Sequence, residues 1–551
     1  MRAPILLTLG LFGFYLLIAW AGPLAVGLWQ DDAIYLCTAK SLAAGTGYRH
    51  VEIPGEPLQT KYPILYPAVL SLIFRLSPLY PQNVPLLLIP GALAAAGLVT
   101  LAVRYWRNVL GAGAGLVWPA GLLAAFSPVT LSFVRFTMSD LPYAFLAMAA
   151  LYVLDHKCAT QEASHRRRMW LVAGALLMAA AVLTRGIGIT LIPAAVLVLL
   201  WRKRYWDAAL LIAILVVCLA PWYVRQAMAA RANGAMQSAF LEAPELSYSL
   251  WLPENAGQAA SVVLQNVFRG ALGIAYLQLA LPQDAIGQAL TDPSWRTVCL
   301  HFVCYAAVVM ILVGFLRSAR TGVRTLHLYA VFYTGLMLAW PFEPYRFLIP
   351  WTPFLLYFLL DGLRAAFRLI PRGRPAGAAF WVAVAVIGAC FLYDDVRIAD
   401  STASRYQLRE FPIDWTEMRA VERWVAQNTE ADAVIASAHP ASLFLATGRQ
   451  GHYFWPDTDP YALYYGVDRT WRTFYALPAA SERRYLEDQM RERLLDVYRS
   501  AGIRYCIEHT GLYTSGAVLA PLLRRHPELF EPCFRTPRRT YTAFRVKWSV
   551  R

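Results

Sequence analysis

Trp29-Gln30-Asp31-Asp32-Ala33-Ile34-Tyr35 follows directly on an apolar run that begins near residue 5. Charged groups at the mouth of such a run lose hydration and need a reason to be there. Adjacent carboxylates also repel each other, so together they ask for a cation or a shared proton. A short basic, proline-rich element comes next, Thr60-Lys61-Tyr62-Pro63-Ile64-Leu65-Tyr66-Pro67. Taken alone, these two stretches also fit a solvated loop that ends a helix. The rest of the chain decides between the readings.

Composition sets the class. Of the 551 residues, 58% are hydrophobic and 15% charged, and the mean hydropathy is +0.43. A soluble protein carries about a quarter charged residues, so most of this chain belongs in lipid. The net charge of +15 does not point to nucleic acid, because the basic residues are split among short loops instead of gathered on one face with interleaved aromatics. The eight cysteines form no CxxC, and most lie in or beside apolar runs, as small apolar residues do. Cys506 and Cys533 alone fall in a polar region, where a disulfide is one option.

Apolar stretches of roughly membrane-crossing length run near 5–28, 83–105, 111–134, 141–157, 170–183, 187–201, 207–223, 297–316, 326–341, 347–366 and 377–393. With the N-terminus inside, the inner loops carry Arg2, then Arg104 and Arg107, then Lys157 and Arg166 to Arg168. Further inner loops hold Arg202 to Arg204, then Arg317, Arg320 and Arg324, and finally Arg364, Arg368, Arg372 and Arg374. The outer connections hold nearly all loop carboxylates, among them Asp31, Asp32, Glu52, Glu56, Asp140, Glu242, Glu245 and Glu343. That is the charge asymmetry of membrane orientation, and an odd number of spans places the C-terminal region outside. Ala19-Trp20-Ala21 resembles a cleavage site, but the apolar run continues to Leu28, longer than a signal core.

Residues 31–44 and 63–76 read as two amphipathic helices in the outer interface, the second opened by Pro63 in its first turn. Three further outer connections bring polar groups to the same depth. They are Arg135-Phe136-Thr137-Met138-Ser139-Asp140-Leu141-Pro142, Thr184-Arg185-Gly186, and Glu343-Pro344-Tyr345-Arg346-Phe347-Leu348-Ile349-Pro350. Each alone reads as a helix cap or a snorkelling arginine. Together they bring acidic and basic side chains to one face of a membrane bundle.

These motifs resemble, in order, those of the polytopic glycosyltransferases of the GT-C fold that use polyprenyl-phosphate sugars, a group that includes protein O-mannosyltransferases and the lipid A aminoarabinose transferase. Asp31-Asp32 is similar to the family's acidic pair, Lys61-Tyr62-Pro63 to its Lys-Pro element and Phe136 to Pro142 to its second acidic motif. Thr184-Arg185-Gly186 resembles its Thr-Lys/Arg-Gly turn, and Glu343-Pro344-Tyr345-Arg346 its later Tyr-Arg motif. The chain departs from the pattern at Asp32, where many relatives have Glu, and at Tyr62, where they have Pro; this leaves the acceptor class open.

The resemblance implies a polytopic α-helical membrane protein with about eleven transmembrane helices plus interfacial helices. Residues 1–393 would form the catalytic membrane domain and 394–551 an extracytoplasmic α/β domain. The expected activity is inverting transfer of a hexose or pentose from a polyprenyl-phosphate sugar to a lipid, glycan or protein acceptor at the outer face of the cytoplasmic membrane. Lys61, Arg185, Tyr345 and Arg346 would bind the donor phosphate and stabilise its departing charge. Asp31 would be the general base. Asp140 would orient the acceptor or the base, and Asp32 would hold Lys61 or a divalent cation. No metal ligand set is expected, and the cofactor question stays open to a divalent cation.

No GxxxxGK[ST] loop, GxGxxG after a strand or HExxH occurs. Two rivals remain at this level. A transporter or flippase should show internal repeats and helices broken at mid-membrane, which the sequence lacks; a non-catalytic assembly protein would tolerate loss of Asp31. Beyond Asp394-Asp395 the pattern turns to α/β. A helix is expected from Thr416 to Gln427, strands at Ala433–Ala436 and 503–507, a Gly-capped helix at 443–449, a charged helix at 481–500 and a final paired segment near 540–548. His439 and His452 read as surface or cap residues, and 224–296 as an outer aromatic and polar stretch. Reporter fusions test the orientation: a fusion after Arg551 should be active only outside the cytoplasm and one at Arg167 only inside. Cytoplasmic activity at Arg551 would contradict the alternation.

Overall fold

The computed structural model describes residues 2–21, 26–27, 30–160, 164–235, 256–280, 295–340, 345–369, 375–400, 415–453, 494–510 and 519–548. In chain order its helices begin with α1 (Arg2–Ala21), α2 (Asp31–Ala43), α3 (Leu65–Leu76), α4 (Val84–Leu87), α5 (Ile89–Asn108), α6 (Ala114–Ala125), α7 (Pro128–Phe133) and α8 (Asp140–Tyr152). They continue with α9 (Ser164–Thr184), α10 (Leu191–Trp201), α11 (Tyr205–Ala235), α12 (Ala256–Leu279), α13 (Trp295–Arg320) and α14 (Thr325–Ala339). Next come α15 (Tyr345–Leu348), α16 (Thr352–Phe367), α17 (Pro375–Asp400), α18 (Trp415–Asn428) and α19 (Pro440–Thr447). Strands β1 (Val434–Ser437), β2 (Gly451–Tyr453), β3 (Ile503–His509), β4 (Phe530–Arg535) and β5 (Tyr541–Val546) form one sheet.

Seven helical segments among the described residues are long and apolar enough to cross a membrane, and shorter apolar helices accompany them. The fold is that of a polytopic α-helical membrane protein. The boundaries differ from the hydropathy reading in informative ways. Helix α1 stops at Ala21 instead of running to 28. The stretch 111–134 is divided into α6 and α7, with Pro128 opening the second piece. Within the outer stretch 224–296, α11 continues to Ala235 and Ala256–Leu279 forms α12. Its Gly, Ala and Gln content hides it from a hydropathy count.

The chain divides into two compact units: Met1–Gly22, Leu88–Tyr223 and Asn255–Arg405 form the first, and Pro23–Leu87, Val224–Glu254 and Tyr406–Arg551 the second. In the first unit the tightest crossing is that of α13 with α16. A Cβ built on Gly314 would stand 2.0 Å from the Phe358 carbonyl oxygen, and one on Gly362 1.9 Å from that of Met310. Each glycine thus faces a carbonyl on the other helix, with the pairs running in opposite chain directions. Small residues let helix backbones approach this closely where lipid provides no hydrophobic drive between helices. Elsewhere in this unit Asp155, in a π-helical turn at Val153–Cys158, accepts from Tyr105 Oη at 2.7 Å and from the Thr325 and Leu326 N–H groups at 3.0 and 3.2 Å. A buried carboxylate therefore satisfies the free donors at the start of α14.

The second unit carries the sheet, in the order β2-β1-β3-β5-β4. β1 runs parallel to β2 and β3, while β5 lies antiparallel to both β3 and β4. Its core gathers Ala436, Ile503, Cys506, Leu522 and Phe530. Cys506 is buried and Cys533 exposed; both are free thiols, so the disulfide option is not taken. The glycine-capped helix is realised by Gly448 in the left-handed conformation at the end of α19. Only 494–500 of the expected charged helix 481–500 lies within the described residues. Gly314→Ala or Gly362→Ala should cost about 1–3 kcal/mol or more, because the obstructing atoms are backbone. Thermal unfolding in detergent checks this against Gly335→Ala, whose Cβ meets nothing within 4 Å; equal midpoints would contradict the crossing.

Candidate active site

Two clusters collect the side chains singled out by the sequence, one in each unit. In the first unit Asp140 lies in the opening turn of α8, where a carboxylate interacts favourably with the helix dipole. It is fully buried. Arg185 Nη1 lies 2.8 Å from Asp140 Oδ2, and Arg346 Nη2 approaches the same oxygen at 3.2 Å. Arg185 occupies an extended position just before a 3-10 turn at Gly186–Thr190. Its guanidinium also faces Ser139 Oγ at 3.4 Å and packs over the Phe347 ring. Arg346 sits in α15, a single turn whose Phe347 carbonyl accepts from Tyr333 Oη at 2.7 Å. Tyr143 and Tyr329 join by their hydroxyls at 2.6 Å, and Trp351 stacks on Tyr329. This aromatic support fixes the α15 turn. Tyr345 begins that turn; Glu343 lies outside the described residues.

In the second unit Asp31 and Asp32 open α2. Tyr62 Oη donates to Asp31 Oδ1 in a hydrogen bond that fixes the direction of the carboxylate. Asp32 is fully buried and its Oδ2 accepts from the Gly27 N–H at 2.8 Å. Lys61 Nζ lies over the Tyr62 ring, 5.3 Å from its centroid. Tyr35 packs edge-on against both Tyr62 and Tyr66. Tyr62, a departure from the Lys-Pro pattern, is thus in direct contact with Asp31.

The loop that presents Lys61 and Tyr62 is held by residues the sequence reading passed over. Gln59 Oε1 accepts from the Lys61 and Tyr62 N–H groups at 2.7 and 3.2 Å. From the end of α11, Arg225 donates to the carbonyls of Gln59 and, at 2.9 Å, Tyr48. Gln226 donates to the Thr60 carbonyl at 2.5 Å, and Asn233 pairs with both backbone groups of Leu58 at 2.8 and 2.9 Å. Glu52, taken as an outer-loop carboxylate, is buried with its Oε1 2.7 Å from His50 Nδ1. Its carbonyl accepts from Gly451 N–H at 2.8 Å, which ties the loop to β2.

Helix α2 is anchored on the C-terminal part of the same unit. Gln30 Nε2 reaches the Ala438 carbonyl at 3.4 Å, and Cys37 Sγ faces the Ala441 carbonyl at 3.5 Å. Gln30 holds a φ of 58°, a left-handed conformation rare for a side chain of its kind. His439 caps α19 as expected, but it and His452 are buried, not surface residues. Burial pushes the His439 imidazole down to about 3 and so keeps it neutral. Among the described residues no group of three His, Cys, Asp or Glu side chains is arranged to hold a metal ion.

No family model and no curated protein sequence matches the chain. Solved structures do. ArnT from Cupriavidus metallidurans in the apo state aligns at 14% identity with a TM-score of 0.55, over 98% of this chain and 97% of that one. The same protein bound to undecaprenyl phosphate aligns at 14% identity and a TM-score of 0.55, over 99% and 98%. The apo Archaeoglobus fulgidus oligosaccharyltransferase aligns at 14% identity with a TM-score of 0.52, over 98% of this chain and 75% of that one. The chain therefore has the GT-C architecture of these membrane proteins, the fold its motifs resemble. Asp140→Ala would strand two part-buried guanidiniums, a loss of about 3–5 kcal/mol for a buried pair broken from one side. Thermal unfolding should place it well below Arg346→Ala, which leaves Asp140 its Arg185 partner; the reverse order would contradict this assignment.

Proposed function

We propose that this chain is an integral membrane glycosyltransferase that moves a sugar from a polyprenyl-phosphate donor to an acceptor hydroxyl, inverting the anomeric centre. One observation carries the reading: in a membrane protein of GT-C fold, two guanidiniums from separate segments meet on one buried carboxylate, Asp140. Arginine suits bidentate contact with phosphate oxygens, and the site would bind the donor phosphate. A related fold is known with undecaprenyl phosphate bound, which supports this class of donor. Asp140 then acts as the post that positions Arg185 and Arg346. Tyr345 flanks Arg346 in the same turn, and the motif resemblance keeps Lys61 as a further candidate ligand of the donor phosphate.

Asp31 is the general base for the acceptor hydroxyl. The Tyr62 hydrogen bond gives the Asp31 carboxylate one direction, and a carboxylate held in place is suited to take up a hydroxyl proton. Asp32 supports it from the same turn, and a divalent cation at the pair remains within the reading. Departure of the phosphate opposite the attacking hydroxyl accounts for inversion, and electrostatic stabilisation of the leaving charge supplies most of the help. We place the N-terminus in the cytoplasm and the region from 394 onward on the outer side of the cytoplasmic membrane, following the loop charges. Asp31→Asn is nearly isosteric and should lower transfer of labelled sugar from a polyprenyl-phosphate donor by about 10²–10⁴, with donor binding kept. Near-normal transfer by a folded Asp31→Asn protein would remove Asp31 from the role of base.

A further inference from the structure

Asp32 depends on its neighbours for its orientation. The Gly27 N–H that it accepts belongs to a residue with φ of 99°, where a Cβ would stand 2.8 Å from Ser442 Cβ. Only glycine fits there, with its backbone pressed against α19. Ser442 Oγ in turn donates to the Val26 carbonyl at 3.2 Å and stands 3.5 Å from Glu422 Oε1 of α18. A chain of contacts thus runs from the Glu422 carboxyl through Ser442 and the Val26-Gly27 backbone to Asp32.

A serine hydroxyl has one proton to donate. When Glu422 is protonated, its own O–H can donate to Ser442 Oγ, which leaves the serine proton on the Val26 carbonyl. Ionised Glu422 only accepts, and it draws the serine proton away from Val26. Desolvation raises the Glu422 carboxyl from its ordinary 4.5 to about 7. Among the described residues the charges acting on it are Arg419 and Arg423 of its own helix. Helix α19 contributes Ser442, and Tyr80, which also senses Asp32, faces Glu422 from the segment before α4. With the folded-state pKa raised, the protonated arrangement is complete at low pH and is lost as pH rises through about 7.

We propose that Glu422 and Ser442 are positioning residues for Asp32, locking the Val26-Gly27 backbone while Glu422 is protonated and releasing it on ionisation. The inference rests on the reading of Asp31 and Asp32 as the reacting pair, and two measurements on the full-length protein in detergent separate the two. The first is hydrogen–deuterium exchange of residues 26–32, corrected for intrinsic rate, at about pH 6 and about pH 8.5, on either side of the Glu422 transition. The second is sugar transfer from the polyprenyl-phosphate donor at the same pH values.

In the wild type, exchange should quicken about tenfold at the higher pH, and kcat should fall by a similar factor with KM held, as a small misplacement of a reacting group does. Glu422→Gln keeps a neutral donor and should hold both quantities at their low-pH values. Ser442→Ala should loosen the segment and lower kcat at both pH values. Exchange in Glu422→Gln that retains the wild-type pH dependence overturns the inference, as does a Ser442→Ala segment as protected as the wild type's. If exchange follows the expected pattern while the wild type transfers no sugar, the positioning stands and the transferase reading falls.

Discussion

A single buried carboxylate organises the cluster of the first unit. Asp140 holds Arg185 and Arg346, side chains from a tight turn and from a one-turn helix far apart in the chain. An isolated charge in that setting would be costly, and a guanidinium without a partner equally so. The pairing therefore fixes the Thr184-Arg185-Gly186 turn and the α15 turn at once. The Tyr333 bond to the Phe347 carbonyl and the Trp351–Tyr329 stack keep α15 in register. Asp140 itself is placed by the first turn of α8, whose N-terminus welcomes negative charge.

The second unit solves a different problem, that of holding two adjacent carboxylates in defined and different directions. Asp31 points to a phenol and Asp32 to a backbone amide. Neither partner is free to drift. Tyr62 stands on a loop clamped by Arg225, Gln226 and Asn233, while Gly27 is wedged against Ser442. The C-terminal region thus acts as the seat on which the acidic motif is built. That explains why α2, which is weakly amphipathic, buries most of its residues.

Much of this was legible in the sequence, and the reasons for the gaps are physical. Hydropathy and loop charge marked most membrane helices, and the helix at 31–43 followed from its spacing and the glycines after it. The acidic and basic motif residues were also visible, because charge at a lipid boundary stands out. Their pairing was not: Asp140, expected to orient the acceptor or the base, meets Arg185 and Arg346 from segments far apart in the chain. Nor could sequence spacing reveal that Gln30 meets Ala438, 408 positions away. Helix α12 escaped notice because Gly, Ala and Gln carry little hydropathy, and Gly314 and Gly362 because a close helix crossing leaves no local signal. Tyr62 was noted only as a departure from a pattern, since a phenol earns its meaning from the carboxylate it touches.

The most direct measurement of the account is binding of undecaprenyl phosphate to the purified protein, followed by native mass spectrometry. The wild type should retain one copy of the lipid phosphate. The double variant Arg185→Ala/Arg346→Ala, checked for folding by its unfolding midpoint, should lose it. Equal retention by the folded double variant would contradict the assignment of the Asp140 cluster as the phosphate site.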